Sequence, residues 1–196
     1  MPLAPLEGQL ELVRPPAPGQ LELVRNFLNT LDLERGTDAL GSPEGLSAWL
    51  RENVPAPRVS GTRPGPDELE RARALRDSLR ALALRNNALA ATCEPAPIEE
   101  ASRRAAFALT VDPATGTSLL HPTAGGVDGA LGRVVAALHG AMAEKSWPRL
   151  KACADETCLW GYYDRSKNGC SRWCGDTCLN RSKVRRFRER QAGATR

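Results

Sequence analysis

Residues 149–190 read RLKACADETCLWGYYDRSKNGCSRWCGDTCLNRSKVRRFRER, and their reading decides how this chain is built. Five of the six cysteines, Cys153, Cys158, Cys170, Cys174 and Cys178, fall within 26 residues, while Cys93 stands alone. Four residues separate Cys153 from Cys158, three separate Cys174 from Cys178, and fifteen lie between the two pairs. Each short pair can bend two thiolates around one ion, and the chain between them suffices for a hairpin. Four thiolates at about 2.3 Å complete a closed tetrahedral zinc site, structural because no coordination position remains for a substrate. In so short a segment the metal takes the place of a hydrophobic core, which couples folding to metal binding. Trp160, Tyr162 and Trp173 are expected to pack around it. Cys170 follows Asn168-Gly169, a tight-turn dipeptide, and reads as a bystander at the tip of the turn. Disulfides fit less well. The chain of 196 residues is too large to need them, and Met1-Pro2-Leu3-Ala4-Pro5 lacks the basic start and apolar run of an export signal.

Directly after Cys178 comes the charge. Residues 179–190 hold six Arg or Lys and one Glu, a local +5 that leaves the rest of the chain at −1. A basic end on a near-neutral body suggests a polyanion contact confined to that end. In helical projection Arg181, Arg185 and Arg188 share one stripe, with Lys183, Arg186 and Arg190 on an adjoining one. Val184 and Phe187 supply an apolar anchor that could dock this helix on the zinc module. Cations meeting phosphates add affinity without sequence information, whereas base reading would need one or two arginines on guanine edges.

Working back towards the N-terminus, Leu and Ala dominate and aromatics make up 5%, which favours helix over sheet. Gly8–Arg14 and Gly19–Arg25 are the same heptapeptide, GQLELVR, separated by Pro15, Pro16 and Pro18. The first copy reads as a loose arm, and the second begins the fold, with Leu23, Phe27, Leu28 and Leu31 spaced for one helix face. Ser42-Pro43 is an N-cap followed by proline at the first helical position, leading into Leu46, Trp49 and Leu50. Residues 55–66, with four prolines and two glycines, form a loop. A long helix follows over Asp67–Ala90, with Leu69, Ala72, Leu75, Leu79 and Leu82 as its apolar stripe and its arginines on a solvated face. A shorter helix over Pro97–Ala106 leads to a strand (Phe107–Val111), a turn (Asp112–Gly116) and a strand (Thr117–Leu120). The last helix of this region carries Val127, Leu131, Val134, Leu138 and Met142 and ends near Lys145. The expected fold is therefore mainly α: a helical domain over 18–147 with one small hairpin, after a flexible arm (1–17). A zinc module with a basic helix (148–191) and a tail (192–196) complete it.

No catalytic constellation is visible. His121 and His139 are isolated, Cys93 reads as an ordinary thiol, and no nucleophile motif, phosphate-cradling loop or spaced acidic pair occurs, so no enzyme is expected. No apolar run approaches the length of a membrane span, and a cytoplasmic protein is the simplest reading.

The chain also resembles a bacterial family that combines an all-helical ABATE domain with a CGNR zinc finger, over about residues 18–191. The resemblance rests on Asn26-Phe27-Leu28-Asn29-Thr30-Leu31-Asp32 and Leu46-Ser47-Ala48-Trp49-Leu50 near the start. Near the end it rests on Arg149-Leu150-Lys151-Ala152-Cys153, Tyr163–Gly169, Arg172-Trp173-Cys174 and Asn180-Arg181-Ser182-Lys183. It implies one structural Zn2+ on Cys153, Cys158, Cys174 and Cys178, and a nucleic-acid contact through Arg181, Lys183, Arg185 and Arg186, which the charge pattern extends to Arg188 and Arg190. It implies a transcription regulator, with the helical domain sensing a small-molecule effector or stress signal; joined to the four-cysteine spacing and the +5 stretch, the expected partner is DNA, and the helical domain would gate the protein or make it a homodimer. Two departures stand out: Cys-Gly-Asn-Arg is here Cys178-Leu179-Asn180-Arg181, and the second cysteine pair encloses three residues where the family usually has four. A shortened knuckle without its glycine leaves Cys170 as the rival ligand. Competing readings are a protein-interaction adaptor docking an acidic partner and an RNA-binding protein.

Overall fold

The computed structural model describes residues 15–54 and 63–193. The first GQLELVR copy, most of the expected arm, residues 55–62 of the 55–66 loop and the end of the tail lie outside the described residues. Within them the chain is mainly helical, as the composition suggests. Helix α1 (Leu21–Leu28), hairpin β1–β2 (Leu31–Asp32 and Thr37–Asp38), α2 (Pro43–Asn53), α3 (Pro66–Asn86) and α4 (Ala96–Ala105) come first. Hairpin β3–β4 (Phe107–Asp112 and Thr117–Pro122) and α5 (Gly126–Ala143) follow, then hairpin β5–β6 (Leu150–Ala152 and Gly161–Tyr163) and α6 (Asp176–Gly193). The three sheets are all two-stranded and antiparallel.

Local chemistry sets the boundaries. Ser42 Oγ accepts from Gly45 N at 3.1 Å and Pro43 opens α2, the capping pattern read from the sequence. Helix α1 buries Leu21, Val24, Phe27 and Leu28 but stops before Leu31. Thr30 turns back onto the Phe27 carbonyl through both its amide and its hydroxyl, closing the helix. Leu31 then pairs with Asp38 in a short hairpin that the helical spacing had absorbed into α1. Helix α3 ends at Asn86, not Ala90, because Asn86 and Asn87 turn their side chains to backbone carbonyls in and around β5, described below. In α5 the stripe from Val127 to Leu138 is buried, whereas Met142 is 45% exposed. The β3–β4 hairpin forms where expected, with Leu109 opposite Leu120 and Asp112 holding the turn by accepting from Ala114 N at 2.9 Å and Thr115 Oγ1 at 2.8 Å.

The arginines of α3 depart from the expected solvated face. Arg76 is 3% exposed and Arg80 is 7% exposed. Arg76 forks onto Asp38 at 2.6 and 3.1 Å and also reaches Thr30 Oγ1 at 3.2 Å. Arg80 donates to the Leu28 carbonyl at 2.5 Å, and Arg73 to the Leu40 and Gly41 carbonyls at 2.8 and 3.0 Å. These three side chains bind the irregular chain between α1 and α2 to α3, supplying the donors that loop carbonyls need once buried. Burial, and next the neighbouring Arg76, push the Arg80 guanidinium down to about 10. Burial acts to raise the Asp38 carboxyl, but hydrogen bonds from Arg76 and from Leu40 N win and lower it.

One continuous core joins the helices to β5: Phe27, Leu75, Leu79 and Leu131 share it with Trp147, Leu150 and Ala152. Three asparagines lock the seam. Asn29 exchanges two hydrogen bonds with the Gly161 backbone, at 2.9 and 2.7 Å. Asn86 donates to the Trp147 and Leu150 carbonyls, and Asn87 to those of Ala152 and Arg172, all at 2.8–2.9 Å. A Cβ at Gly161 would stand 3.1 Å from Asn29 Oδ1 and 3.2 Å from Leu28 Cβ, so this close approach favours glycine.

Asp38→Ala should destabilise the chain by about 3 kcal/mol, because Arg76 would stay buried with its forked partner gone and only the exposed Asp77, 3.4 Å away, left to pair with it. Urea denaturation checks this; a midpoint unchanged from wild type would show that the fork contributes nothing. The lowered Asp38 carboxyl carries a pH signature. Its contribution is fully present above the unfolded carboxyl pKa and lost as pH falls through the lower folded value. The stability gap between wild type and Asp38→Ala should therefore close in acid.

Candidate metal centre

The zinc module begins as a frame of hydrogen bonds. Strand β5 pairs with β6, Leu150 facing Tyr163 and Ala152 facing Gly161, and Cys153 N continues the ladder to the Trp160 carbonyl at 2.9 Å. Between the strands the chain folds tightly: Cys158 N and Leu159 N both donate to the Asp155 carbonyl, at 2.9 and 3.0 Å, with Leu159 at φ +50°. This brings Cys158 back beside Cys153. The second pair is delivered differently, Cys174 from the bend just before α6 and Cys178 from the first turn of that helix.

The four sulfurs of Cys153, Cys158, Cys174 and Cys178 all lie within 4.8 Å of one another, and all four residues are buried. Cys158 Sγ is 3.4 Å from Cys174 Sγ, which is 3.5 Å from Cys178 Sγ. None is in a disulfide. Sulfurs at about 2.3 Å from a tetrahedral ion lie about 3.8 Å apart, so the spacing fits one zinc ion. Charge points the same way. Hydrogen bonds from the Cys158 and Cys174 thiols pull the Cys153 thiol far below its ordinary range, and the same sharing pushes Cys158 far above it. Four sulfurs this close cannot all ionise against one another; a divalent cation among them resolves the conflict. Four buried cysteines thus form a single structural zinc site.

Around the sulfurs, Trp160, Tyr162 and Trp173 pack as expected. Cys174 N points at Cys153 Sγ and Arg181 Nη2 at Cys178 Sγ, each 3.5 Å away, so both donors face the excess negative charge of a four-thiolate centre. Cys170 is exposed, follows Gly169 at φ +60° and stays outside the cluster. The loop carrying it is held by a buried pair that the sequence reading missed. Lys151 Nζ, in β5, donates to Asp164 Oδ2 at 2.8 Å and to the Gly169 and Ser171 carbonyls at 2.6 and 3.1 Å. Asp164 in turn accepts from Ser166 N, Ser166 Oγ and Ser171 N. Burial works to raise the Asp164 carboxyl, but the Lys151 and Ser166 bonds lower it. The only sequence signal was the short alternation Leu150-Lys151-Ala152, which places a lysine on a strand without saying that it is buried.

The six expected cations of α6 do not share one environment. Arg181 is tied down: it pairs with Glu34 of the β1–β2 turn, its Nε lies 2.8 Å from Asp155 Oδ2, and Nη1 reaches Thr157 Oγ1 at 3.2 Å. Arg185 Nη1 lies 3.9 Å from Asp155 Oδ1, and Arg186 sits over the Trp173 ring at 5.7 Å. Lys183, Arg188 and Arg190 are exposed and make no ion pair among the described residues. The apolar anchor is corrected as well. Val184 is 49% and Phe187 55% exposed, so neither docks on the zinc module. Ser182 and Cys178 hold the inward face instead, and from Lys183 to Ala192 the helix is exposed on every side.

Cys174→Ser should abolish stoichiometric zinc, lowering metal content from one ion per chain to well below that by elemental analysis, whereas Cys170→Ser should retain it. Equal loss in both variants would return Cys170 to the ligand set. Because protons compete for the thiolates, zinc should be released as pH falls, which a chromogenic chelator titration reads directly.

Two family matches divide the chain along the same lines. Residues 149–191 match the CGNR zinc finger, and residues 21–145 match the ABATE family, described as "putative stress-induced transcription regulator". No curated protein matches the chain. The first match ends just past the exposed cations of α6, and the second covers the asparagines that bond to the zinc module, Asn29, Asn86 and Asn87. This chain therefore belongs to the ABATE family and carries a CGNR zinc finger at its C-terminal end.

Proposed function

We propose that this protein is a DNA-binding transcription regulator, in which residues 148–191 form the DNA-contacting unit and residues 18–147 the sensory or dimerising one. In this reading Cys153, Cys158, Cys174 and Cys178 ligate one structural zinc ion, and α6 carries Lys183, Arg188 and Arg190, with Arg185 and Arg186 beside them, to the phosphate backbone. The observation that supports it is the attachment of a helix with a local charge of +5 to the four-cysteine cluster through Cys178, which lies in the helix's first turn. A basic helix alone would be marginal in water, but one anchored by a ligand in its first turn is pre-oriented for a polyanion. Arg181 takes a different part: its ties to Glu34, Asp155 and Cys178 make it the joint between helix and body.

The metal is assigned to structure, not catalysis, because four sulfurs fill a tetrahedral ion and leave no position for substrate. Thiolate ligands also favour a reducing, cytoplasmic setting. No helix among the described residues is long and apolar enough to cross a membrane. For the sensory role, α3, α4 and α5 enclose a cleft of about 380 Å3 with Arg71, Arg104, Glu100 and Asp128 in its walls, within the size range of small-molecule sites.

Duplex DNA binding should be present at low salt and fall steeply with salt concentration. Replacing Lys183, Arg188 and Arg190 together by Gln should flatten the log–log slope by up to about 3, roughly 0.9 for each phosphate no longer neutralised. Cys174→Ser should abolish the binding. Fluorescence anisotropy across a salt series measures both; absence of binding at low salt, or indifference to the cysteine, sinks the reading. Stronger retention of single-stranded or structured RNA than of duplex DNA would favour the RNA alternative.

A further inference from the structure

Resting on the DNA reading above, we propose that α6 is a major-groove reading helix whose base-contacting stripe is Asn180, Val184 and Phe187, with the cations on its flanks serving the phosphates. The stripe follows from which residues α6 turns inward. Cys178 and Ser182 are buried against the knuckle at 2% and 4% exposure. At 100° per residue the opposite direction falls among Asn180, Val184 and Phe187, spaced i, i+4, i+7, and all three are exposed. Lys183 and Arg190 border this stripe on one side and Arg188 on the other. From Asn180 to Phe187 this face therefore has a central band without charge, bordered by Lys183 and Arg190 on one side and by Arg188 on the other, with Asp176 one turn before it at the head of the helix.

Two exposed apolar side chains on an otherwise charged helix need an occupant, and charge decides which. A second copy of α6 would bring another +5 helix against this one, with cationic flanks facing cationic flanks. A duplex offers the complement: phosphate walls for the flanks and a groove floor bearing amide-matching and methyl-bearing base edges for the centre. Asn180 has the side chain that pairs bidentately with adenine N7 and N6, while Val184 and Phe187 match thymine methyl groups. The seven residue steps from Asn180 to Phe187 cover about 10 Å, roughly three base-pair steps. This sharpens the specificity expected of the protein. The arginines of α6 position it, and A·T pairs, not guanines, are read by the three residues that point outward.

The test is selection of bound duplexes from a randomised library by the zinc-loaded full chain, comparing wild type, Asn180→Ala and the double variant Val184→Ala/Phe187→Ala. Wild type should enrich a short block containing A·T pairs. Asn180→Ala should lose the preference at one adenine and bind the selected site about tenfold or more weakly, with unselected duplex bound as before. Replacing the block's thymines by uracil, which removes only the methyls, should weaken wild type about fourfold per contacted methyl and leave the double variant unaffected. DNA binding that persists with no enriched block, or with the same block and affinities in every variant, overturns the inference while leaving the DNA reading intact. Loss of affinity for all duplexes alike in the stripe variants, with zinc content and helicity retained, overturns it too. A concentration-dependent dimer abolished only in the double variant would assign the apolar band to self-association instead. Failure of wild type to bind any duplex at low salt would remove the DNA reading itself.

Discussion

Four buried sulfurs within 4.8 Å of one another are the junction on which the C-terminal part of this molecule depends. The segment from Leu150 to Cys178 has three-residue strands and too few apolar side chains to close a core of its own, and a cluster of thiolates around a cation does that work. The same cluster decides where α6 begins. Cys178 lies in the helix's first turn, so the start of the basic helix is fixed at the cluster, while from Lys183 to Ala192 every residue is exposed, Arg185 reaching towards Asp155 and Arg186 lying over Trp173. Asp155 links the two knuckles: its carbonyl turns Cys158 back, and its carboxylate faces Arg181 of α6.

The helical part is not an independent body placed beside this junction. Asn29, Asn86 and Asn87 spend their amides on backbone groups of β5, β6 and the chain before Cys174. Leu150 and Ala152 are buried in the core of the helices. Glu34, at the tip of the β1–β2 turn, pairs with Arg181 directly. The base of that turn is held by Arg76 through Asp38. A mechanical line of named contacts thus runs from the middle of α3, through the small hairpin, to the first turns of the basic helix. Two ion pairs of similar design, the half-buried Arg76–Asp38 and the buried Lys151–Asp164, fix the two loops that flank it. In both, every charged end is met by further hydrogen bonds, the condition under which a buried pair specifies a structure instead of weakening it.

Much of this was legible in the residues. The four-cysteine spacing, the Ser42-Pro43 cap, the apolar stripes of α3 and α5, the β3–β4 hairpin and the aromatic shell of Trp160, Tyr162 and Trp173 all follow from local rules. Each depends on neighbours within a turn or two, or on the narrow geometry that thiolates accept around one ion. What misled was charge read locally. Arg76 and Arg80 look like members of a solvated face because nothing near them in sequence says that Asp38 and the Leu28 carbonyl come to meet them. Val184 and Phe187 look like an anchor because apolar residues are usually buried, yet Ser182 and Cys178 occupy the inward face first.

The sequence by itself determined the helical class, the metal-ligating residue type and the placement of positive charge after the last cysteine. These are properties of periodicity, composition and spacing that survive any arrangement of the elements. Only the tertiary structure decided which arginines are structural and which are exposed, and that the outward band of α6 is Asn180, Val184 and Phe187. The physical reason is that burial and partner choice are set by segments far apart in the chain. Asn29 and Gly161 are 132 residues apart, Glu34 and Arg181 are 147, and no local pattern records either meeting.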